Sequence, residues 1–239
     1  MSGLGLTFLR RGGQAHPTAG SDISIDSYIK DDALVIFDGI EKGSIEGQWT
    51  SLIDSNHTFV NYGAIEEEDG WRFDGASSYL WSTTLPAYSW HSGGDRTMEI
   101  VAEFERSGMT EIVMMGKAKG MSFGKYVNNS CLILTESGVS ANTIADDMTA
   151  GLMALGVAID GASAVTTFLN GIKNGIPISA SEVLQNNGFG GSTGAVILGK
   201  RISGNHFKGK IYAIRIHNRA LTNDELLYNY EIDKKRFKL

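Results

Sequence analysis

The segment that contains the last predicted strands and the last helix constrains the fold of this chain most. Two runs rich in β-branched and aromatic residues, Val196 to Gly199 and Lys210 to Ile216, predict strands, and the glycine-containing segment between them predicts a turn. We expect these strands to be neighbours in one sheet. Period-two alternation in the second run places three residues on the core face and leaves Ile211, Ala213 and Arg215 on the other. The three predicted core residues are Tyr212, Ile214 and Ile216.

A helix is predicted directly after the second of these strands. Thr222 is followed three residues later by Glu225, the pairing of a capping box at a helix N-terminus. Leu221 before the cap and Leu226 after it can pack together as a hydrophobic staple. An apolar stripe at helical spacing follows and ends in a charged segment. We therefore expect one short C-terminal helix that docks on a sheet.

The same C-terminal residues resemble the signature of the laminin-G-like class of concanavalin-like jelly rolls, G-x-h-x-x-h-x-h-x-x-R-x-L-[ST]-x-x-E-h with h apolar. The matching residues are Gly209, Ile211, Ile214, Ile216, Arg219, Leu221, Thr222, Glu225 and Leu226. Four earlier segments are similar to features of that class in the same order, and they are Leu34 to Gly39, Trp49 to Asp54, Trp71 to Leu80, and Ala154 to Gly171. Ser51 departs from the pattern, which has Asp there. The resemblance implies an all-β, two-sheet antiparallel jelly-roll sandwich with a short C-terminal helix.

Length and glycine content agree with one all-β domain. The chain has 239 residues, of which 42% are hydrophobic, enough for one sizeable core. Its 30 glycines and three prolines fit many tight turns. Asp-Gly and Asn-Gly pairs predict hairpins, and they begin at Asp38, Asp74, Asp160, Asn170 and Asn174. We predict an N-terminal arm over residues 1–29 and one laminin-G-like jelly-roll domain over residues 30–239.

Charge and cysteine content exclude several classes. A formal net charge of -6 argues against a nucleic-acid ligand, because phosphate binding requires a basic surface. The single cysteine, Cys131, excludes an intrachain disulfide, and its apolar neighbours predict a buried strand position. No apolar run is long enough to span a bilayer, and the first twenty residues lack the pattern of a signal peptide. We therefore expect no membrane partner and synthesis in a reducing cytoplasm.

The glycine-rich N-terminal arm is predicted to be a docking segment that orders on a partner; an ordinary mobile terminus is the alternative. The arm resembles N-terminal segments of virion proteins from phages of gut bacteria. Its expected docking residues are Leu4, Leu6, Phe8, Leu9, Arg10 and Arg11.

Together the two resemblances imply a virion protein made in the bacterial host cytoplasm. A phage head fibre, a capsid decoration or a tail accessory protein would fit. Such a protein would bind other virion proteins through the arm, form a dimer or trimer, and present the sandwich to host surface glycans with increased avidity. The alternative is a glycan-binding module of a bacterial cell-surface system, located outside the cell or on its surface.

Loop aromatics are the predicted sugar contacts, because an aromatic ring stacks on the apolar face of a pyranose. The first candidates are Tyr88, Trp90 and His91, and the second are Asn205 and His206. Three other tryptophans lie in strand-like runs and are predicted to belong to the core; they are Trp49, Trp71 and Trp81.

The nearest match to a glycosidase pattern is Glu99 to Glu103, where the E-x-D-x-E order of concanavalin-like enzymes is incomplete. On a strand, Glu99, Val101 and Glu103 share one face. Val101 stands in place of the Asp that would tune the flanking carboxylates. We therefore predict that the protein is not an enzyme and has no catalytic residue; a glycoside hydrolase of concanavalin-like fold is the less favoured alternative.

No cofactor is predicted. The five histidines lack the spacing of a zinc site. The laminin-G-like resemblance implies that a calcium ion can bind at the rim of the sandwich, with oxygen ligands from Asp38, Asp54 and Asp74. Asp-Gly pairs are also ordinary turn signals, so calcium stays an open alternative.

Overall fold

The computed structural model describes residues 24–43, 46–82, 84–85, 95–106, 111–116, 122–125, 131–134, 140–143, 150–160, 164–179, 196–200 and 206–239. Strands β1 to β8 are Ala33–Asp38, Gln48–Thr50, Thr58–Tyr62, Ile65–Glu67, Gly70–Asp74, Tyr79–Ser82, Arg96–Phe104 and Glu111–Gly116. Strands β9 to β16 are Ser122–Lys125, Cys131–Leu134, Ser140–Thr143, Gly151–Asp160, Ala164–Leu169, Ile172–Ser179, Val196–Leu198 and Lys208–His217. A 3-10 turn covers Ile25–Ser27, and helix α1 covers Asn223–Phe237.

The strands form two antiparallel sheets, each with eight strands within the described residues. Sheet A has the order β14-β13-β12-β7-β16-β5-β4, with β1 also paired to β16. Sheet B has the order β11-β10-β9-β8-β15-β6-β3-β2. The predicted jelly-roll sandwich with a short C-terminal helix is confirmed. Cys131 begins β10, so the strand part of its prediction is correct, and its burial stays a prediction.

The main core lies between the two sheets and contains many aromatic rings. Trp49 and Trp71 are fully buried, as predicted. Phe37 lies at the centre of one cluster, with its ring centroid 5.6 Å from Trp49 and 4.9 Å from Phe59. Burying each large apolar side chain contributes about 1.5–3 kcal/mol, so this layer supplies much of the stabilisation of the sandwich.

The prediction that the last two strands are neighbours is wrong, because they lie in different sheets. β15 pairs with β6 and β8 in sheet B, whereas β16 pairs with β1, β5 and β7 in sheet A. Lys200, which follows β15, and His206, which precedes β16, form an isolated antiparallel bridge. Strand propensity is local, but the choice of partner depends on long-range packing.

A register shift in β16 corrects the predicted alternation. Ile211, Ile214 and Ile216 face the main core, whereas Tyr212 and Ala213 lie on the outer face with Phe237 of α1. The pairing of β16 with β7 shifts between Ile211 and Ala213. A bulge adds one residue to one strand and reverses the faces on one side of it. Period-two counting therefore succeeds after the bulge and fails before it.

Helix α1 begins where the sequence predicts. Thr222 Oγ1 accepts a hydrogen bond from the Glu225 amide, and Glu225 Oε2 accepts one from the Thr222 amide at 2.9 Å. Leu221 and Leu226 belong to one buried cluster on the outer face of sheet A, in agreement with the staple. Among the described residues, no helix is long and apolar enough to cross a membrane.

The hairpins predicted at the Asp-Gly and Asn-Gly pairs occur at some of these positions and not at others. The Asn170–Gly171 pair joins β13 to β14, with φ of 51° and 72°, as a hairpin turn requires. Asp160 ends β12 before its hairpin partner β13. The hairpin prediction is wrong at Asn174, which lies inside β14. It is also wrong at Asp38 and Asp74, since the strand after each lies in the opposite sheet.

Candidate functional site

Most of the sequence-predicted site residues lie outside the described part of the chain. Those residues are Leu4, Leu6, Phe8, Leu9, Arg10, Arg11, Tyr88, Trp90, His91 and Asn205. Their predicted roles therefore stay predictions. His206 is described, is partly buried, and forms its backbone bridge with Lys200.

Lys200, the bridge partner of His206, contacts a row of aromatic side chains on the outer face of sheet B. Tyr62 on β3 and Tyr79 on β6 are direct register partners. Their rings are parallel within 4° with centroids 4.8 Å apart, and the Lys200 ammonium lies 3.3 Å from the Tyr79 centroid. We call Tyr62, Tyr79, Trp81 and Lys200 the aromatic ladder.

The order of groups in the aromatic ladder follows from these distances. Two parallel rings 4.8 Å apart leave no room for an ammonium between them, so Lys200 lies on the face of Tyr79 opposite Tyr62. Tyr79 is enclosed between an aromatic ring and a cation, which is a favourable cation–π arrangement. Tyr62 stands at the end of the row and is 48% exposed, so it presents ring surface to solvent.

Trp81 belongs to this outer face rather than to the core, which corrects the sequence prediction. It is partly exposed, and its ring centroid lies 6.5 Å from Tyr79 in an edge arrangement. Leu80 and Ser82, which alternate with it along β6, are buried. The run was correctly predicted as a strand, but one face of a strand in a sandwich points to solvent. The alternation of Leu80 with Tyr79 and Trp81 is the sequence signal for this face.

Two further basic residues lie near His206, the bridge partner of Lys200. Arg106 donates from Nη2 to the backbone carbonyl of His206. Lys208 lies two residues further on and pairs with Glu105 at 3.4 Å. We call Lys200, Arg106 and Lys208 the basic rim.

The carboxylate of Asp74, one of the three predicted calcium ligands, accepts hydrogen bonds within its own turn. Its Oδ1 accepts hydrogen bonds from the backbone amides of Ala76, Ser77 and Ser78 at 2.8–3.0 Å. Burial raises the pKa of Asp74, but these amides and the Ser77 hydroxyl lower it by more, so the net pKa lies well below its usual range. The turn holds the ionised carboxylate and leads directly into Tyr79.

The other two predicted calcium ligands, Asp38 and Asp54, also accept hydrogen bonds from nearby residues. Asp38 is buried; its Oδ1 accepts from the amides of Ile40 and Glu41 and from Arg236. Asp54 accepts from Asn56 in a turn. Within the described ranges, no group of three or more His, Cys, Asp or Glu side chains is placed to hold a metal ion. The structure therefore does not bring the predicted calcium ligands together.

The acidic pattern on β7 lies on the outer face of sheet A, where Glu99 and Val101 contact α1. Glu99, Val101 and Glu103 share that face, as predicted, since the alternate residues of β7 enter the main core. Glu99 is buried and accepts from Arg215 at 3.2 and 3.3 Å and from Asn229 at 2.8 Å. Glu103 lies 3.5 Å from Arg72. Both carboxylates therefore belong to ion pairs that join structural elements.

The buried ions around Glu99 were missed by sequence reasoning. Asp233 on α1 binds Arg215 and accepts from the Tyr28 hydroxyl at 2.8 Å. Burial lowers the pKa of Arg215, but Asp233 and Glu99 raise it by more, so the net pKa lies well above its usual value. The strand alternation places Arg215 on the non-core face of its sheet, but its partner depends on how α1 packs. The network fixes α1 and the segment at Tyr28 on sheet A.

No family model and no curated protein sequence matches this chain. Solved structures do match it. Trypanosoma rangeli sialidase in complex with sialic acid superposes with a TM-score of 0.60 and 11% identity, over 86% of this chain and 33% of the sialidase chain. The binding domain of Paraclostridial Mosquitocidal Protein 1 matches with a TM-score of 0.61 and 14% identity, over 84% of this chain and 52% of the matching chain.

The receptor binding domain of botulinum neurotoxin D matches with a TM-score of 0.65 and 8% identity, over 84% of this chain and 52% of the toxin domain. This chain thus spans about a third of the length of the sialidases and about half of the toxin domains. At these identities the likeness shows the fold alone. It supports the jelly-roll-like sandwich but gives no support to the laminin-G or phage resemblance.

The sialidase matches correct one prediction from the sequence. Sialidases are enzymes, and several of their structures cover more than four fifths of this chain at 10–11% identity. The prediction that this protein is not an enzyme is therefore wrong as an exclusion, because its fold also occurs in enzymes. The comparisons establish a jelly-roll-like β-sandwich of the kind found in sialidases and in toxin binding domains.

Proposed function

We propose that this protein is a glycan-binding β-sandwich whose ligand contacts the aromatic ladder. The observation that carries the proposal is the stacked pair of Tyr62 and Tyr79, with Tyr62 48% exposed on the outer face of sheet B. The C–H face of a pyranose packs on such a ring, and adjacent hydroxyl and indole N–H groups hydrogen-bond the sugar hydroxyls. Clustered exposed apolar surface marks an interaction site more often than isolated side chains do.

The aromatic ladder is held in place before any ligand binds. Tyr79 restrains the ring of Tyr62 by stacking, and Lys200 and Trp81 restrain Tyr79 from other directions. All three aromatic side chains stand on strands of one sheet. A sugar that stacks on Tyr62 therefore loses little affinity to side-chain ordering.

The comparisons support the ligand class only through the fold. One matching sialidase structure contains sialic acid, and two matching toxin structures are binding domains. The virion location, docking through the N-terminal arm, oligomerisation and synthesis in a host cytoplasm remain proposals from the sequence. If several copies are displayed together, avidity compensates for weak affinity at one aromatic ladder.

Binding to a glycan array, followed by titration calorimetry, tests the function. We expect saturable binding by the wild-type protein and a loss of about tenfold in affinity for Tyr62→Ala, which corresponds to about 1.4 kcal/mol. Tyr228→Ala is the matched control, because Tyr228 is 51% exposed but lies on α1. Equal binding by Tyr62→Ala and the wild type, or no saturable glycan binding by the wild type, would overturn the proposal.

A further inference from the structure

We propose that the ligand of the aromatic ladder is an anionic oligosaccharide whose acidic group binds Lys200. This inference rests on the proposed glycan function and specifies the charge and minimum size of the ligand. It follows from three features of the described residues: the environment of the Lys200 ammonium, the basic rim, and the position of Lys200 relative to Tyr62.

The Lys200 ammonium faces a neutral aromatic ring rather than a carboxylate of the described residues. Its ammonium lies 3.3 Å from the Tyr79 centroid, and no carboxylate of the described residues forms an ion pair with it. The lysines at 30, 42, 208, 210 and 234 all have carboxylate partners. An ammonium on a ring face retains donor capacity on its solvent side. A carboxylate or sulfate on a ligand would complete this site.

The other two residues of the basic rim are connected to Lys200 through His206. Arg106 donates a hydrogen bond to the carbonyl of His206, the bridge partner of Lys200, and Lys208 begins β16 two positions after His206. Glu105, through its pair with Lys208, and the ionised Asp74, the register partner of Lys208, offset part of this charge. The whole chain carries a formal net charge of -6, so a surface on which the Lys200 ammonium has no carboxylate partner among the described residues is a local departure from the protein's overall charge. Such a surface attracts anionic ligands and makes their binding sensitive to salt.

The order of groups in the aromatic ladder sets the ligand's minimum size. Tyr62 and Lys200 lie on opposite faces of Tyr79, with separations of 4.8 Å and 3.3 Å from its centroid. A sugar stacked on the open side of Tyr62 cannot itself place an acidic group on Lys200, because the two tyrosine rings lie between them. The acidic group must therefore belong to a neighbouring sugar unit. A single acidic monosaccharide would satisfy only one end of the ladder.

The test compares tetragalacturonate with its fully methyl-esterified, neutral form, and with a heparin tetrasaccharide as the sulfated probe. For the wild-type protein we expect calorimetry to show about tenfold tighter binding of an anionic tetrasaccharide than of the ester, since a charge-assisted hydrogen bond contributes about 1.5 kcal/mol or more. Higher salt should remove this preference. Galacturonate monomer should bind at least tenfold more weakly than the tetramer.

Lys200→Gln should abolish the preference for the anionic probe while binding the ester as the wild type does. Lys235→Gln, which changes an exposed lysine on α1, should leave both affinities unchanged. Unchanged melting temperatures would show that both variants are folded. Tight binding of either the carboxylated or the sulfated probe that depends on Lys200 and Tyr62 supports the inference. The ratio of the two affinities identifies which acidic group, carboxylate or sulfate, the site prefers.

Failure of this inference is distinguishable from failure of the glycan function. If the ester binds as tightly as the anionic probes, or if Lys200→Gln keeps the preference, the charge assignment is overturned, while Tyr62-dependent binding still supports the glycan function. Heparin binding that persists in both Tyr62→Ala and Lys200→Gln would be nonspecific electrostatic binding at another part of the protein surface. It would also overturn the inference. If no saccharide binds, the proposed function itself fails.

Discussion

Arg215 on β16 and Asp233 on α1 are joined by two hydrogen bonds, of 2.8 and 2.6 Å, in the buried layer between sheet A and the helix. Both side chains are at most 1% exposed. Glu99 binds the same guanidinium, so one buried cation faces two carboxylates. The pair anchors the last element of the chain to a central strand of sheet A.

Removing the charge of Asp233 should therefore destabilise the fold strongly. Asp233→Asn keeps the side-chain volume but leaves Arg215 with one carboxylate, and we expect a loss of about 3 kcal/mol in the free energy of unfolding. Urea denaturation measures it. Glu231→Gln, at an exposed acid of the same helix that pairs with Lys234, should cost at most about 0.5 kcal/mol. Equal losses for the two variants would show that the buried pair contributes no net stability.

The close approach of β16 to β7 requires a glycine at position 209. Gly209 has φ of 147°, and a Cβ there would overlap the backbone carbonyl oxygen of Glu103. Gly151 faces the same partner residue, Phe104, from the other side of β7 and has φ of 138° with open space. We expect Gly209→Ala to cost about 3 kcal/mol or more and Gly151→Ala about 1 kcal/mol. Similar melting temperatures for the two variants would contradict the steric explanation.

The start of α1 offers a direct test of the capping box. Thr222→Ala removes the acceptor for the Glu225 amide and should lower the free energy of unfolding by about 1 kcal/mol. Thr222→Ser keeps a hydroxyl acceptor and should retain most of the stabilisation by the cap. Asn223→Ala at the next, exposed position serves as the control and should have little effect. Thermal unfolding of the three variants measures the difference. A Thr222→Ala variant as stable as the wild type would mean that water replaces the cap without cost.

His217 should make stability depend on pH. It is buried, with Nε2 donating to the Ile29 carbonyl at 3.0 Å and no hydrogen-bond partner for Nδ1 among the described residues. Burial lowers the pKa of His217, although Glu99 and the Ile29 carbonyl act in the opposite direction. The unfolded chain takes up a proton near pH 6.5 and the folded chain resists it, so stability is lost as pH falls below about 6.5 through the folded pKa.

His217→Gln removes this titration while retaining a donor for Ile29. The variant should have a lower stability than the wild type at pH 7.5, but a flatter dependence of the free energy of unfolding between pH 7 and pH 5. Denaturant unfolding at a series of pH values gives both profiles. Parallel profiles would show that carboxylates rather than His217 dominate this range.

Much of the secondary structure was predictable because its signals are local. The capping box at Thr222, the turn at Asn170 and the β-branched runs of β15 and β16 each depend on neighbouring residues, and each occurs as predicted. The same signals did not show that β15 and β16 separate into two sheets. Nor did they show the register shift at Tyr212.

The candidate site was predictable only in part. The sequence singles out His206, which forms a bridge with Lys200, and the Lys200 ammonium lies over the ring of Tyr79. Tyr62 is not among the residues that the sequence singles out, and Trp81 is predicted to belong to the core, because a strand pattern distinguishes two faces without showing which face is covered. The β3–β6 pairing brings Tyr62 and Tyr79 together from 17 positions apart in the chain.

Local residue patterns thus established an all-β chain that closes with a capped helix, because hydrogen bonding and side-chain alternation act over a few residues. Strand order, the bulge, the buried partner of Arg215 and the aromatic ladder depend on contacts between residues distant in sequence. Such contacts form only when the two sheets pack, since burial and cross-strand pairing are properties of the assembled sandwich. For this reason the fold class followed from the amino-acid sequence, whereas the surface proposed to bind a glycan emerged from the packing of the strands.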